Sequence, residues 1–266
     1  METTGRNGPI VFLQDWFTDA GKDWEFQIPF FQHHYHCLNV PLPGHPGSEG
    51  TEHPLRSLEE KLVQIITSLK EPVRIVAHGI SCSVALRVIQ RMPLRINSAV
   101  LISPFDSAVE HKRFVQRIGK RPWLLPIALA FRDPAGEQLG VFSRIRRRLG
   151  AFSITDAGEY CRELTRSDLM QNLKSINTRL LLITGDMDPW NSTAFAEKMN
   201  EELGRSQLIR YAHLGHNPHR EESQLINRAV FDFFEESLSW LEKGMGTPRH
   251  LLGNFIKKPN QGFAID

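Results

Sequence analysis

Residues Arg74-Ile75-Val76-Ala77-His78-Gly79-Ile80-Ser81-Cys82-Ser83 read as an apolar strand, a sharp turn and the start of a helix. The helical pattern continues through Val84-Ala85-Leu86-Arg87-Val88-Ile89. A serine on such a turn is held out of the backbone at the top of a sheet, where its oxygen can attack a carbonyl. Gly79 and Ser83 stand two residues to either side of Ser81, and small residues are needed there because strand and helix pass close together. This reading puts the turn at Ser81. The usual pattern is G-x-S-x-G, and Ser83 replaces its last glycine. On this stretch alone, a serine in an ordinary strand–helix loop stays open as the bland alternative.

Two later segments narrow the choice. Arg179-Leu180-Leu181-Leu182-Ile183-Thr184 is a continuous apolar run of buried-strand type, ending in Gly185-Asp186-Met187-Asp188-Pro189. Ser206-Gln207-Leu208-Ile209-Arg210-Tyr211 reads as another strand, followed by His213-Leu214-Gly215-His216-Asn217-Pro218-His219-Arg220-Glu221. A serine after a middle strand, an acid after a late strand and a histidine near the C-terminus follow in the order Ser, Asp, His. With these three motifs, the chain from Pro9 to about Leu241 resembles the α/β-hydrolase superfamily, in the branch of small enzymes with a helical cap.

The resemblance implies a nucleophile at Ser81, a general base at His216 and an orienting acid at Asp188. Asp186 is the rival acid, with turn capping as its ordinary role. His213 and His219 are rival bases, and His216 is preferred because it follows the family's glycine. His78 reads as a core or supporting histidine. The oxyanion hole implied by the family uses the backbone N–H of Cys82 and that of Trp16, after the early strand Pro9-Ile10-Val11-Phe12-Leu13. Here the chain departs from type. Relatives carry His-Gly before the position of Trp16, and this chain has Gln14-Asp15. The lost glycine removes backbone freedom, and Asp15 brings a negative charge to a site meant to stabilise one. In Leu38–Ser48, Pro41 and Pro46 replace an aspartate and a glycine of the family's Asp-Leu-Pro-Gly-His-Gly-x-Ser loop.

Composition agrees with a soluble globular protein: 266 residues, 41% hydrophobic and 23% charged. A net charge of +2 makes no case for nucleic acid. Cys37, Cys82 and Cys161 have neither metal-ligand spacing nor the pattern of a disulfide framework, and the resemblance to a serine hydrolase implies neither metal nor organic cofactor. The polar segment Met1–Gly8 lacks the apolar core of a signal peptide, and the longest apolar run, Trp123–Phe131, is too short to span a bilayer. A cytoplasmic setting follows as the expectation, with a small-molecule substrate, no stable membrane insertion, and a homodimer left open.

Strands and helices alternate along the chain, which predicts an α/β fold: a mostly parallel central sheet with helices on both faces. Ser57-Leu58-Glu59-Glu60 reads as a capping box opening a helix with Leu58, Leu62, Ile65, Ile66 and Leu69 on one face. Alternation breaks after Phe105. The expected organisation is a core of residues 1–105 and 176–243, an inserted helical cap over 106–175 and a tail over 244–266. The cap is rich in arginine. Arg117 and Arg121 are candidates for an anionic substrate group, Trp123 for an apolar pocket roof, and Asp15 for a substrate contact from below. The functional expectation is a serine hydrolase of an ester, thioester or related carbonyl compound, acting through an acyl-enzyme. Alternatives within the fold are a C–C bond hydrolase and a lyase of the menaquinone-pathway type. Against the lyase, Ala85 stands where that family carries an arginine four residues after its serine. A ligand-binding pseudo-enzyme is the remaining alternative, suggested by Gln14-Asp15.

Overall fold

Among the described residues, six short strands form one sheet. They are β1 (Pro9–Leu13), β2 (His36–Val40), β3 (Val73–His78), β4 (Ile96–Ile102), β5 (Arg179–Gly185) and β6 (Ser206–Tyr211). The computed structural model describes residues 7–15, 22–45, 48–105, 112–124, 127, 154–164 and 172–242. The strand order is β2-β1-β3-β4-β5-β6, and each pairing is parallel. Parallel neighbours need crossovers, and the helices that make them cover both faces. The mostly parallel α/β sheet expected from the sequence is therefore the observed fold.

Alternate residues of each central strand feed two separate cores. Val11, Leu13, Ile75, Ala77, Ala99, Leu101, Leu180 and Leu182 face one side. There they meet α2 (Pro54–Ser68), α3 (Ser81–Arg91) and α6 (Thr193–Glu202). Ile10, Phe12, Val76, Val100, Ile102, Leu181 and Ile183 face the other side, against Trp24, Phe31 of α1 (Gln27–Phe31), Tyr35 and the apolar stripe of α8 (Ser223–Glu242). The period of two along a strand makes this division.

The start of α2 differs from the sequence reading. Its first helical residue is Pro54, and Ser57 lies inside the helix, donating its N–H to His53 O at 2.8 Å. Proline at the first position needs no N–H partner and already has helical φ, so it displaces the capping box by a turn. The buried stripe is Leu55, Leu58, Leu62 and Ile66.

Between β4 and β5 the described residues hold α4 (Lys112–Lys120) and α5 (Ile154–Leu164). Tyr160 of α5 donates to Pro43 O at 2.9 Å, and Glu163 accepts from Leu55 N, joining this insertion to the loop after β2 and to α2. The rest of the expected cap and the tail over 244–266 lie outside the described residues. No helix among the described residues is long and apolar enough to cross a membrane.

The end of β5 packs tightly. A Cβ on Gly185 would lie 2.1 Å from Leu214 O, in the loop after β6. Gly185→Ala is expected to destabilise the fold by about 1–3 kcal/mol or more, since backbone rather than a flexible side chain must give way. Urea denaturation of the variant against the parent checks this.

Candidate active site

The strand-to-helix turn of the decisive stretch lies two residues earlier than the sequence reading placed it. β3 ends at His78, and α3 begins at Ser81. Gly79 carries the positive φ of the turn, +56°, a conformation that favours glycine. The small residues flanking it by two are Ala77 and Ser81. The same small-x-turn-x-small spacing thus exists two residues upstream, with glycine at its centre.

This shift moves Ser81 away from the expected position. Ser81 is fully buried in the first turn of α3, and its Oγ donates to Gln14 O at 2.6 Å. Cys82 N–H, expected in the oxyanion hole, donates instead to Gly79 O at 3.2 Å as part of the helix start. The N–H at the turn is that of Ile80. It donates to Asp15 Oδ1 at 2.9 Å. Asp15 fills the space beside Gly79 so closely that a Cβ there would sit 1.9 Å from Oδ1. The side chain over the turn comes from the loop after β1, not from the turn itself.

Asp15 completes a row. His216 Nδ1 lies 2.8 Å from Asp188 Oδ2, and His216 Nε2 lies 3.3 Å from Asp15 Oδ2. Asp188, on the loop after β5, accepts from Trp190 N at 2.7 Å and from Asn191 Nδ2 at 3.0 Å. Asn191 also donates to Ser103 O at 2.9 Å, tying that loop to the end of β4. Glu221 of α7 (Pro218–Glu221) accepts from Gly215 N and Asn217 N, bracketing His216. Asp186, the rival acid, pairs with Arg210 at 3.0 Å, and the rival base His213 is exposed.

Behind the row lies a second buried group. Asp23 Oδ2 accepts Asp15 N–H at 2.8 Å and faces His78 Nδ1 at 3.1 Å, while Oδ1 faces His219 Nε2 at 2.9 Å. His78 Nε2 meets His216 O at 2.9 Å. Both nitrogens of His78 therefore face acceptors, so both carry protons. Burial opposes that charge, but Asp23 and Asp15 outweigh it and raise the pKa of His78. The same logic holds for His216, between two carboxylates. Burial opposes its charge, yet Asp188 and Asp15 push its pKa up to about 10. Burial and the nearby His78 charge lower His219 to about 4, leaving it neutral. Burial would raise Asp15 and Asp188, but their histidine partners hold both below the usual carboxylate range.

Ligand-type atoms of Asp15, His78 and His216, and of Asp23, His78 and His219, lie within 4.8 Å of one another. His78 and His216 each face an oxygen at both ring nitrogens, the arrangement of a buried proton-holding network.

The structure thus brings Asp188, His216 and Asp15 together and leaves Ser81 in helix packing. Cys82 Sγ faces Ala77 O and Ile102 O, and burial, together with the nearby Asp15 charge, raises its thiol well above the usual range. Arg117, Arg121 and Trp123 are exposed on the insertion. Trp16 lies outside the described residues. Sequence reasoning missed Gly79, Ile80, Asp23 and Glu221. Counting the strand to its end at His78 would have exposed Gly79 as the turn.

With this fold and site, the chain belongs to the alpha/beta hydrolase family, whose model matches residues 10–229. It is 23% identical over 237 residues to a pimeloyl-[acyl-carrier protein] methyl ester esterase of Nitrosomonas europaea, covering 82% of this chain and 92% of that protein. A hydrolase from Oleispira antarctica superposes with a TM-score of 0.74 at 16% identity, covering 88% of this chain and 96% of the other. An esterase from Exiguobacterium antarcticum gives 0.74 at 17% identity, covering 86% and 92%.

The His216 pKa has a consequence for stability. A raised folded-state pKa stabilises fully below the ordinary 6.5, and that contribution is lost as pH rises towards about 10. The stability difference between the parent and His216→Gln should therefore shrink from pH 6 to pH 10, by an amount on the order of a few kcal/mol. Urea unfolding of both proteins across that range measures it.

Proposed function

We propose that this chain is a hydrolase whose attacking group is the Asp15 carboxylate rather than the Ser81 hydroxyl. One observation carries the reading: Asp15 Oδ1 takes the Ile80 N–H at the turn, while Oδ2 faces His216 Nε2. Carboxylates serve as covalent nucleophiles, splitting one hard step into two easier ones. In the first step Oδ2 bonds to a substrate carbon and the leaving group departs, giving an ester on Asp15. In the second, water adds to Cγ of Asp15. Negative charge then gathers on Oδ1, where the Ile80 N–H already points, so no donor has to reorganise. Collapse breaks the bond between Asp15 and the substrate carbon's oxygen, releases the product alcohol, and leaves one water oxygen in the carboxylate. Ester-cleaving relatives support hydrolysis as the reaction type. The sequence expectation of an acyl-enzyme on Ser81 finds no support in a hydroxyl that donates to Gln14 O.

A second reading is a ligand-binding pseudo-enzyme. Full burial of Asp15 and the closed Asp15–His216–Asp188 row favour it, because this row is satisfied without a substrate.

The test combines a probe with two variants. A fluorophosphonate should leave Ser81 unlabelled. Against a panel of p-nitrophenyl esters, epoxides and alkyl halides, Asp15→Asn should lower turnover by on the order of 10³ or more, and Ser81→Ala should stay within about tenfold. Labelled Ser81 with the reverse pattern would restore the serine mechanism. An intact fold with no turnover of any substrate would favour the binding reading.

A further inference from the structure

Resting on the hydrolase reading, whichever oxygen attacks, we propose that Ser103, Thr184 and Asn191 form a subsite for a neutral hydroxyl group of the substrate. The three meet at the carboxyl ends of β4 and β5, the edge of a parallel sheet where ligands bind. Ser103 follows β4, and its N–H donates to Ile183 O at 2.8 Å, next to Thr184 of β5. From the loop after β5, Asn191 Nδ2 donates to Ser103 O at 2.9 Å. Ser103 Oγ, Thr184 Oγ1 and Asn191 Oδ1 are all buried, and none has a hydrogen-bond partner among the described residues. Buried polar atoms are nearly always paired, so three in neighbouring residues point to a ligand.

The backbone gives independent support. Ser103 has a φ of +45°, in the left-handed region that strains a serine and suits a glycine. Strain of this kind persists where the surroundings impose it, and it clusters at ligand sites. Here Asn191 holds the carbonyl of Ser103 and β5 holds its N–H. The strained residue also borders the row. Asn191 Nδ2 donates to Asp188 Oδ2 at 3.0 Å and lies 3.4 Å from His216 Nδ1. The cluster reaches the surface at Asn191, 7% exposed, beside His216 at 6%.

Donors and acceptors select the group that binds. Asn191 turns Nδ2 to two acceptors, Ser103 O and Asp188 Oδ2, which fixes its amide and leaves Oδ1 as an acceptor. The bound group must therefore donate a proton, so a carboxylate or phosphate does not fit. A cation does not fit either, because the charge of Asp188 is already met by His216, which two carboxylates hold protonated. A hydroxyl donates to Asn191 Oδ1 and accepts from Ser103 or Thr184, whose own hydroxyls rotate to donate. The subsite lies on the Nδ1 side of the His216 ring, away from Nε2. The hydroxyl therefore belongs on a carbon of the substrate other than the reacting one.

The experiment measures kcat/KM of the full chain on methyl 3-hydroxybutyrate against methyl butyrate, and on methyl 6-hydroxyhexanoate against methyl hexanoate. At least one hydroxy ester is expected to exceed its plain counterpart by about tenfold or more, since the plain ester leaves a buried acceptor unpaired. Ser103→Gly and Thr184→Val should each lower that ratio about fivefold or more. Ser103→Gly also relieves the left-handed backbone, so its urea midpoint should stand at or above the parent's, which separates the effect from misfolding. Equal turnover of hydroxy and plain esters, or a ratio unmoved in both variants, would overturn the subsite and leave the hydrolase reading intact. If no ester is turned over, that reading fails for methyl esters, and binding decides the subsite. The Asn191 side-chain amide in ¹⁵N–¹H spectra, assigned by its loss in Asn191→Asp, should then shift with one of the two hydroxy esters and not with its plain counterpart. The same response to both kinds, or none to either, would overturn the proposal.

Discussion

A carboxylate shut away from water must find donors for its oxygens, and Asp15 finds them at the ends of two other strands. Ile80 N–H, just beyond β3, takes Oδ1, and His216, beyond β6, faces Oδ2. The loop after β5 brings Asp188 to the other side of the same ring. Removing one partner of such a buried arrangement leaves an uncompensated charge, at a cost of about 3–5 kcal/mol. The interaction also fixes residue identity at the turn. With Asp15 in place, any side chain on Gly79 would meet its carboxylate at 1.9 Å. Asp15 and Gly79 therefore depend on each other: one supplies a side chain where the other has none.

The buried charges behind the row give it rigidity. Asp23 holds the backbone of Asp15 through its N–H and holds His78, which in turn anchors the carbonyl of His216. Both ends of the Asp15–His216 contact are thus positioned by one buried aspartate. Such networks are worth having only when nearly every member is satisfied. The neutral state of His219 follows from this company, since a third buried cation beside His78 would have no second carboxylate to meet it.

Much of the fold was legible because it rests on apolar periodicity. The runs Pro9–Leu13, Arg179–Thr184 and Ser206–Tyr211 are strands or parts of strands, as their composition indicated. The start of α2 was misplaced because Pro54 outcompetes the Ser57 signal for the helix entrance. At the site, the spacing of small residues was legible but its register was not. Gly79-x-Ser81-x-Ser83 and Ala77-x-Gly79-x-Ser81 satisfy the same pattern, and a serine draws the eye to the first. The replacement of His-Gly by Gln14-Asp15 was visible as an anomaly. Its meaning was not, because the partner of Asp15 is a missing side chain at residue 79, and only the packed structure puts the two side by side. Family membership does not restore the missing chemistry, since function resides in the site rather than in the scaffold.

The protonation state of His216 tests most directly whether Asp15 occupies the place beside it. Long-range ¹⁵N–¹H correlation spectra of the histidine rings at pH 7, assigned with His216→Gln, report both nitrogens separately. The account predicts an imidazolium at His216, with Nδ1 and Nε2 both protonated, that turns into a neutral ring in Asp15→Asn. A neutral His216 in the unaltered chain, with Nε2 free of a proton and unchanged by Asp15→Asn, would contradict it.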